Sequence, residues 1–325
     1  MPILEITTMV GCPMMCAFCP QDELRNAYPA SAPRQLSLSD FTLILQKIPP
    51  HVSIQFSGMA EPWANPKTTD MLALTLERGF SVAIFTTLHG MTLTDADRVV
   101  RLLTAHATQL EHLCLHLPDA NLHMRGWRFS TEYAAVLSRI LELQSQGPCF
   151  DATRMSVMTM DGSGALHPDL NVYRGAVTEK TWRGHSRAGN LSAELVASLG
   201  GRPAPRHDSA VSCGKTPFYD QNVLLPNGDV FLCCMDYSLS HKIGNLIEQD
   251  YDALFLSHEL ASLRAENAKP RFSGSSLCKS CSWATTYELR ASRWTVPAEP
   301  MSFRQTVSHL APSLRRALRR RLARR

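Results

Sequence analysis

Between Met1 and about residue 190, short apolar runs alternate with segments of helical period, and this alternation leaves few folds open. The runs are Ile3-Leu4-Glu5-Ile6-Thr7-Thr8, Val52-Ser53-Ile54-Gln55-Phe56, Ser81-Val82-Ala83-Ile84-Phe85, Leu110 to Leu117 and Met155-Ser156-Val157-Met158. Helical patterns over 41–48, 69–78, 94–106 and 131–145 separate them. Strands spaced by helix-length connections pair in parallel, because a tight turn joins only antiparallel neighbours. Right-handed βαβ units in succession build either an open doubly wound sheet or a partial barrel.

After residue 200 the texture changes. Gly200-Gly201-Arg202-Pro203-Ala204-Pro205 punctuates the chain, and two β-rich runs follow, Asn222 to Leu225 and Asp229 to Leu232. They are joined through Pro226-Asn227-Gly228, a hairpin signal because Asn and Gly both tolerate positive φ. A length of 325 residues suits one large domain with a smaller companion. With 44% hydrophobic and 19% charged residues the composition is that of a globular chain. No apolar run is long enough to span a bilayer, and no secretory signal opens the sequence, so a cytoplasmic location is expected. The ten cysteines are then unlikely disulfide partners and call for another use.

They fall into groups. Cys12, Cys16 and Cys19 lie directly after the first strand, where α/β folds place their chemistry. Three thiolates are one short for a cubane, so such a loop either borrows a ligand or leaves one iron open to an exogenous molecule. Zinc binding and simple packing are the alternatives. Cys213, Cys233, Cys278 and Cys281 form a second group with spacing C-x19-C-x44-C-x2-C, and the hairpin between the first two returns its ends to one place. A zinc ribbon is the rival there. Cys114 and Cys149 are expected to pack in the core.

The CxxxCxxC spacing, with Phe18 before the third cysteine, resembles the signature of the radical S-adenosylmethionine (radical SAM) enzymes. At the end of the second strand Ser57-Gly58-Met59-Ala60-Glu61-Pro62 resembles that family's glycine-rich segment, with Ala60 where glycine is usual. The resemblance implies a partial (β/α)6 TIM-like barrel over 1–200 whose first [4Fe–4S] cluster is held by Cys12, Cys16 and Cys19. It implies that S-adenosylmethionine is chelated by the open iron, that its sulfonium bond is cleaved by one electron to a 5′-deoxyadenosyl radical, and that the radical abstracts a hydrogen atom. Phe18 would lie by the adenine, and Gly58, Met59, Ala60 and Glu61 would meet the methionine amino group through carbonyls and the Glu61 carboxylate. Thr87, His116, Arg125 and Ser186, on later strand ends and loops, are further candidates for cofactor contact.

The second group resembles the twitch variant of the SPASM domain, a small α+β unit with one auxiliary [4Fe–4S] cluster, expected over 206–295. Cys233 is taken as the ligand over its neighbour Cys234, since adjacent strand residues face opposite sides. Cys234 is a spare ligand, a buried thiol or a hydrogen-atom donor to a substrate radical. Nearest in domain pattern are dehydrogenases of aminoglycoside assembly, which implies dehydrogenation or epimerisation of a carbohydrate-like small molecule and a one-electron reductant such as flavodoxin or ferredoxin. A ribosomal-peptide-modifying SPASM enzyme is the alternative. Only eleven residues precede Cys12, which disfavours a leader-binding domain. A zinc-stabilised, non-enzymatic binding protein is the reading from another class.

The charge of the chain belongs to its end. Seven arginines fall within residues 315–325, and removing them turns the net +4 into −3 for the rest. Leu310, Leu314, Leu318 and Leu322 recur among them, so 300–325 reads as a basic amphipathic helix or tail, suited to peripheral contact with the inner membrane surface or to an anionic or lipid-linked substrate. The acidic body makes nucleic acid an unexpected partner.

Overall fold

The structure is a computed structural model that describes residues 1–159, 164–176 and 184–287. The N-terminal half runs β1 (Ile3–Ile6), α1 (Gln21–Ala27), α2 (Leu38–Lys47), β2 (Ser53–Phe56), α3 (Thr68–Glu77), β3 (Val82–Thr86), α4 (Leu93–Ala105), β4 (Leu110–Leu117), α5 (Thr131–Leu141) and β5 (Met155–Thr159). Then follow α6 (Ala193–Ser198), β6 (Ala210–Cys213), β7 (Gln221–Leu224), β8 (Asp229–Phe231), β9 (Lys242–Asn245), α7 (His258–Asn267) and β10 (Ala284–Tyr287).

Local chemistry starts the helices where the sequence pattern puts them. Ser37 caps α2 by accepting the Asp40 N–H at 3.0 Å, and Ser130 caps α5 by accepting that of Tyr133 at 3.0 Å. Thr92 and Asp95 form a reciprocal capping box on α4. Ala96, Val99, Val100 and Leu103 then recur at helical spacing and are buried against the sheet.

One sheet carries the strands in the order β5-β4-β3-β2-β1-β7-β8-β9. The neighbours from β5 through β1 to β7 pair in parallel, so the α/β partial-barrel class stands. The sixth parallel strand comes from beyond residue 200: β7 pairs with β1, Leu4 opposite Asn222 and Ile6 opposite Leu224. The hairpin β7–β8 and the strand β9 extend the sheet, and β6 pairs antiparallel with β10. Residues Met1–Glu288 accordingly cluster as one compact unit.

The hairpin turn differs from the sequence expectation. Gly228 takes φ +82° and donates to the Leu225 carbonyl at 2.9 Å, but Asn227 is not left-handed. Its side chain instead accepts the Asp229 N–H at 3.2 Å. A longer turn closed by a left-handed glycine needs only one residue of positive φ. No helix among the described residues is long and apolar enough to cross a membrane. The basic segment expected over 300–325 lies outside the described residues, as do the last residues of the expected 206–295 domain.

Candidate active site and cluster sites

The parallel order brings the loops after β1, β2, β3 and β4 to one end of the sheet, where they wall a cavity of about 350 Å³. Cys12, Cys16, Cys19 and Phe18 line it from the first loop; Gly58, Met59, Ala60 and Glu61 come from the second. Thr87 and His116 line it from β3 and β4.

The second loop lies tight on the end of β1. Gly58 has φ +60°, and a Cβ there would stand 2.3 Å from the Thr7 hydroxyl oxygen, so only glycine fits. The Thr7 hydroxyl accepts the Met59 N–H at 3.0 Å. Ala60, where glycine is usual in the resemblance, has no positive φ and carries its methyl without backbone strain. The Glu61 carboxylate lines the cavity and is held by donors from the neighbouring loop. It accepts from the Thr86 hydroxyl at 2.6 Å and from the Thr87 N–H and hydroxyl at 2.6 and 2.7 Å. The Trp63 N–H adds a fourth donor at 3.2 Å. Burial pushes the Glu61 pKa up, and these donors oppose the shift.

Two expected contacts are not brought to this cavity. Arg125 lines other cavities, one of about 470 Å³ with Asp119 and Trp127 and one shared with Cys16 and Cys19, although its loop is bonded to the cysteine loop through Gly126 N–H to the Met14 carbonyl at 2.8 Å. Ser186 is fully buried and spends its carbonyl on the N–H groups of Gly189 and Leu191, both at 3.0 Å. Its neighbour Arg187 lines the cavity instead, on a turn where residues 187–189 all have positive φ.

Sequence reasoning missed three further residues here. Gln21 is a clamp: its Oε1 accepts the Cys12 N–H at 3.3 Å, and its Nε2 donates to Cys19 Sγ at 3.2 Å and to the Met59 carbonyl at 2.6 Å. Its position two residues after Cys19 was the only signal. Tyr237, from beyond residue 200, places its hydroxyl 3.2 Å from Cys19 Sγ, with no local signal at all. Glu5 on β1 is 2% exposed and accepts from Gln221 Nε2 at 2.9 Å and Ser57 Oγ at 3.2 Å. Burial raises its pKa. Burial also lowers the His116 pKa to about 4, with the Arg187 charge adding to the effect, so its imidazole is neutral at pH 7.

A second cavity, of about 200 Å³, is ringed by Cys213, Cys233, Cys278 and Cys281. Cys213 ends β6, Cys233 follows β8, and Cys278 and Cys281 flank one tight turn in which the Cys281 N–H meets the Cys278 carbonyl at 3.2 Å. Cys233 lines this cavity alone, whereas Cys234 and His185 line both cavities and form the wall between them. Cys114 is buried in the core and Cys149 packs against it.

The donor sets fit iron–sulfur clusters. Among the described residues no three His, Cys, Asp or Glu side chains converge on a single metal-ion position; the thiols surround volumes. Burial pushes the Cys12 and Cys278 thiols up to about 12, and those of Cys16 and Cys233 well above their ordinary value. Thiolates so disfavoured when bare are stabilised by iron, which takes thiolate ligands.

Residues 213–282 match the SPASM family, an iron-sulfur cluster-binding domain. A sequence search of the curated proteins gives no match. Among solved structures, BtrN in complex with AdoMet and 2-DOIA is similar at 14% identity, over 88% of this chain and 93% of that one, with a TM-score of 0.52. Native anSMEcpe with bound AdoMet is 13% identical over 86% of each chain, with a TM-score of 0.48. SuiB of Streptococcus suis, bound to precursor peptide SuiA, is 13% identical over 81% of this chain and 66% of that one, with a TM-score of 0.40. The fold, an open parallel sheet extended by a hairpin, is similar to that of BtrN in its complex with AdoMet and 2-DOIA. Within it, this chain carries a SPASM iron–sulfur domain at 213–282.

Proposed function

We propose that this protein is a radical SAM enzyme acting on a carbohydrate-like small molecule, by dehydrogenation or epimerisation. The observation that carries the reading is the first cavity itself, whose wall joins three thiols of one loop to the Gly58–Glu61 segment and to Cys234 and Tyr237 from the SPASM part. When bound, a reduced cluster with S-adenosylmethionine supplies a 5′-deoxyadenosyl radical able to take a hydrogen atom from an unactivated C–H.

The chain's own residues do the rest. Cys12, Cys16 and Cys19 hold the first cluster, and Cys213, Cys233, Cys278 and Cys281 hold the auxiliary one. Carbonyls of the Gly58–Glu61 segment accept from the methionine ammonium, which offers only donors. Glu61 holds Thr87 in place, and His116 lines the cavity as a neutral imidazole that adds no charge. The working division is a barrel over 1–200 and a cluster domain over 206–295, served by a one-electron reductant such as flavodoxin or ferredoxin.

The test is isotope transfer. Anaerobically reconstituted protein, reduced with dithionite, is given S-adenosylmethionine and deuterated aminocyclitols or sugars; deuterium in the 5′-deoxyadenosine is the expected result. Transfer only from peptides would move the substrate class to the peptide-modifying enzymes. A reconstituted sample that carries zinc and no iron would overturn the enzyme reading.

A further inference from the structure

Cys19 Sγ is met by two side chains, Gln21 Nε2 at 3.2 Å and the Tyr237 hydroxyl at 3.2 Å. Cys12 Sγ, by contrast, meets a backbone donor, the Glu61 N–H at 3.4 Å. Tyr237 is 2% exposed and belongs to the SPASM segment, four residues after Cys233. A cluster-bound cysteine is a thiolate without a proton, so the phenol is the donor.

We propose, resting on the reading that Cys12, Cys16 and Cys19 hold the first cluster, that Tyr237 is a positioning residue through which the SPASM domain sets that cluster's reduction potential. Reduction adds negative charge to the cluster and its sulfurs. A hydrogen bond to a ligand sulfur therefore stabilises the reduced form more than the oxidised form and raises the potential. The phenol is buried and the bond part-buried, which limits the solvent that can weaken it. It also ties the two cluster sites: the backbone from Cys233 to Tyr237 and one O–H···S contact connect a ligand of the auxiliary cluster to a ligand of the first.

The test is a potentiometric titration of the reconstituted protein followed by electron paramagnetic resonance. The first cluster's signal is recognised as the one that changes when S-adenosylmethionine is added. In Tyr237→Phe, with iron content unchanged, that signal's midpoint is expected to move negative. The expected size is on the order of a tenfold change in the reduced-to-oxidised ratio, or about 59 mV for one electron. The auxiliary midpoint stays in place. An unmoved first midpoint, or equal movement of both, overturns the proposal. If the Phe variant takes up less iron, Tyr237→3-fluorotyrosine decides, because a more acidic phenol donates more strongly and must move the midpoint positive; no shift or a negative one overturns it. If Cys19→Ala keeps both signals and the full iron content, the ligand reading itself fails, a result separate from any midpoint.

Discussion

The carboxylate of Glu61, at the end of the second strand, is bound to Thr87, at the end of the third, through both the backbone N–H and the hydroxyl of that residue, at 2.6 and 2.7 Å. The acid therefore fixes the spacing of two loops that wall the same cavity. Glu61→Gln keeps the shape but replaces one acceptor oxygen with a donor that faces donors. Chemical denaturation is expected to show a loss of about 1–3 kcal/mol. Affinity for S-adenosylmethionine, read by calorimetry on the reconstituted protein, is expected to weaken as Thr87 shifts.

Gly58 offers a second test of the same wall. At φ +60°, with the Thr7 hydroxyl oxygen 2.3 Å from where a Cβ would sit, Gly58→Ala must move β1 or the loop. Destabilisation of about 1–3 kcal/mol is expected, the range for strained backbone. Ala60→Gly, two residues on, relieves no strain and is expected to cost well under that, about the entropy of one added glycine. Equal effects at the two positions would show that the loop does not hold this geometry.

How far the sequence could be read follows from the range of each interaction. The five strands β1 to β5 and the helices α2 to α5 were legible because apolar period and capping residues such as Thr92 are local signals, whereas the short α1 was not read. The hairpin was legible in place but not in turn type, since Asn227 found a side-chain bond to the Asp229 N–H in place of a left-handed backbone. The thiols of both sites were legible from spacing. Gln21, Arg187 and Tyr237 were not, because their contacts with the cysteine loop depend on how loops pack across the cavity. The pairing of β7 with β1 was hidden for the same reason: nothing in either strand names its distant partner.

Stability of the metal-free protein should depend on pH through His116 and His185. Burial lowers their pKa values to about 4 and about 3, with Arg187 adding to both. An unfolded histidine titrates near ~6.5. Below that pH the unfolded chain binds protons the folded chain refuses, so these histidines make stability fall on acidification, by about 1.4 kcal/mol per histidine per pH unit. Glu5 and Glu61, with raised pKa values, contribute in the opposite sense. The clean measurement is a difference: His116→Gln is expected to flatten the slope of unfolding free energy against pH between about 6 and 4 relative to the unaltered protein. An unchanged slope would mean that His116 is not held neutral.

The choice between the neighbouring thiols Cys233 and Cys234 can be settled by counting iron. Cys233 lines the second cavity only, whereas Cys234 stands in the wall between the two, beside Arg187 and the Glu5 carboxylate. A cubane takes four cysteines, so two clusters give about eight irons per chain when the first uses three thiols and an open iron. Cys233→Ala and Cys278→Ala are each expected to fall to about four while S-adenosylmethionine still perturbs the signal that is left. Cys12→Ala is expected to fall to about four with that response gone. Cys234→Ser is expected to retain about eight, because its sulfur lies in the wall shared by the two cavities; a loss of about four there, with Cys233→Ala intact, would exchange the roles of the two residues.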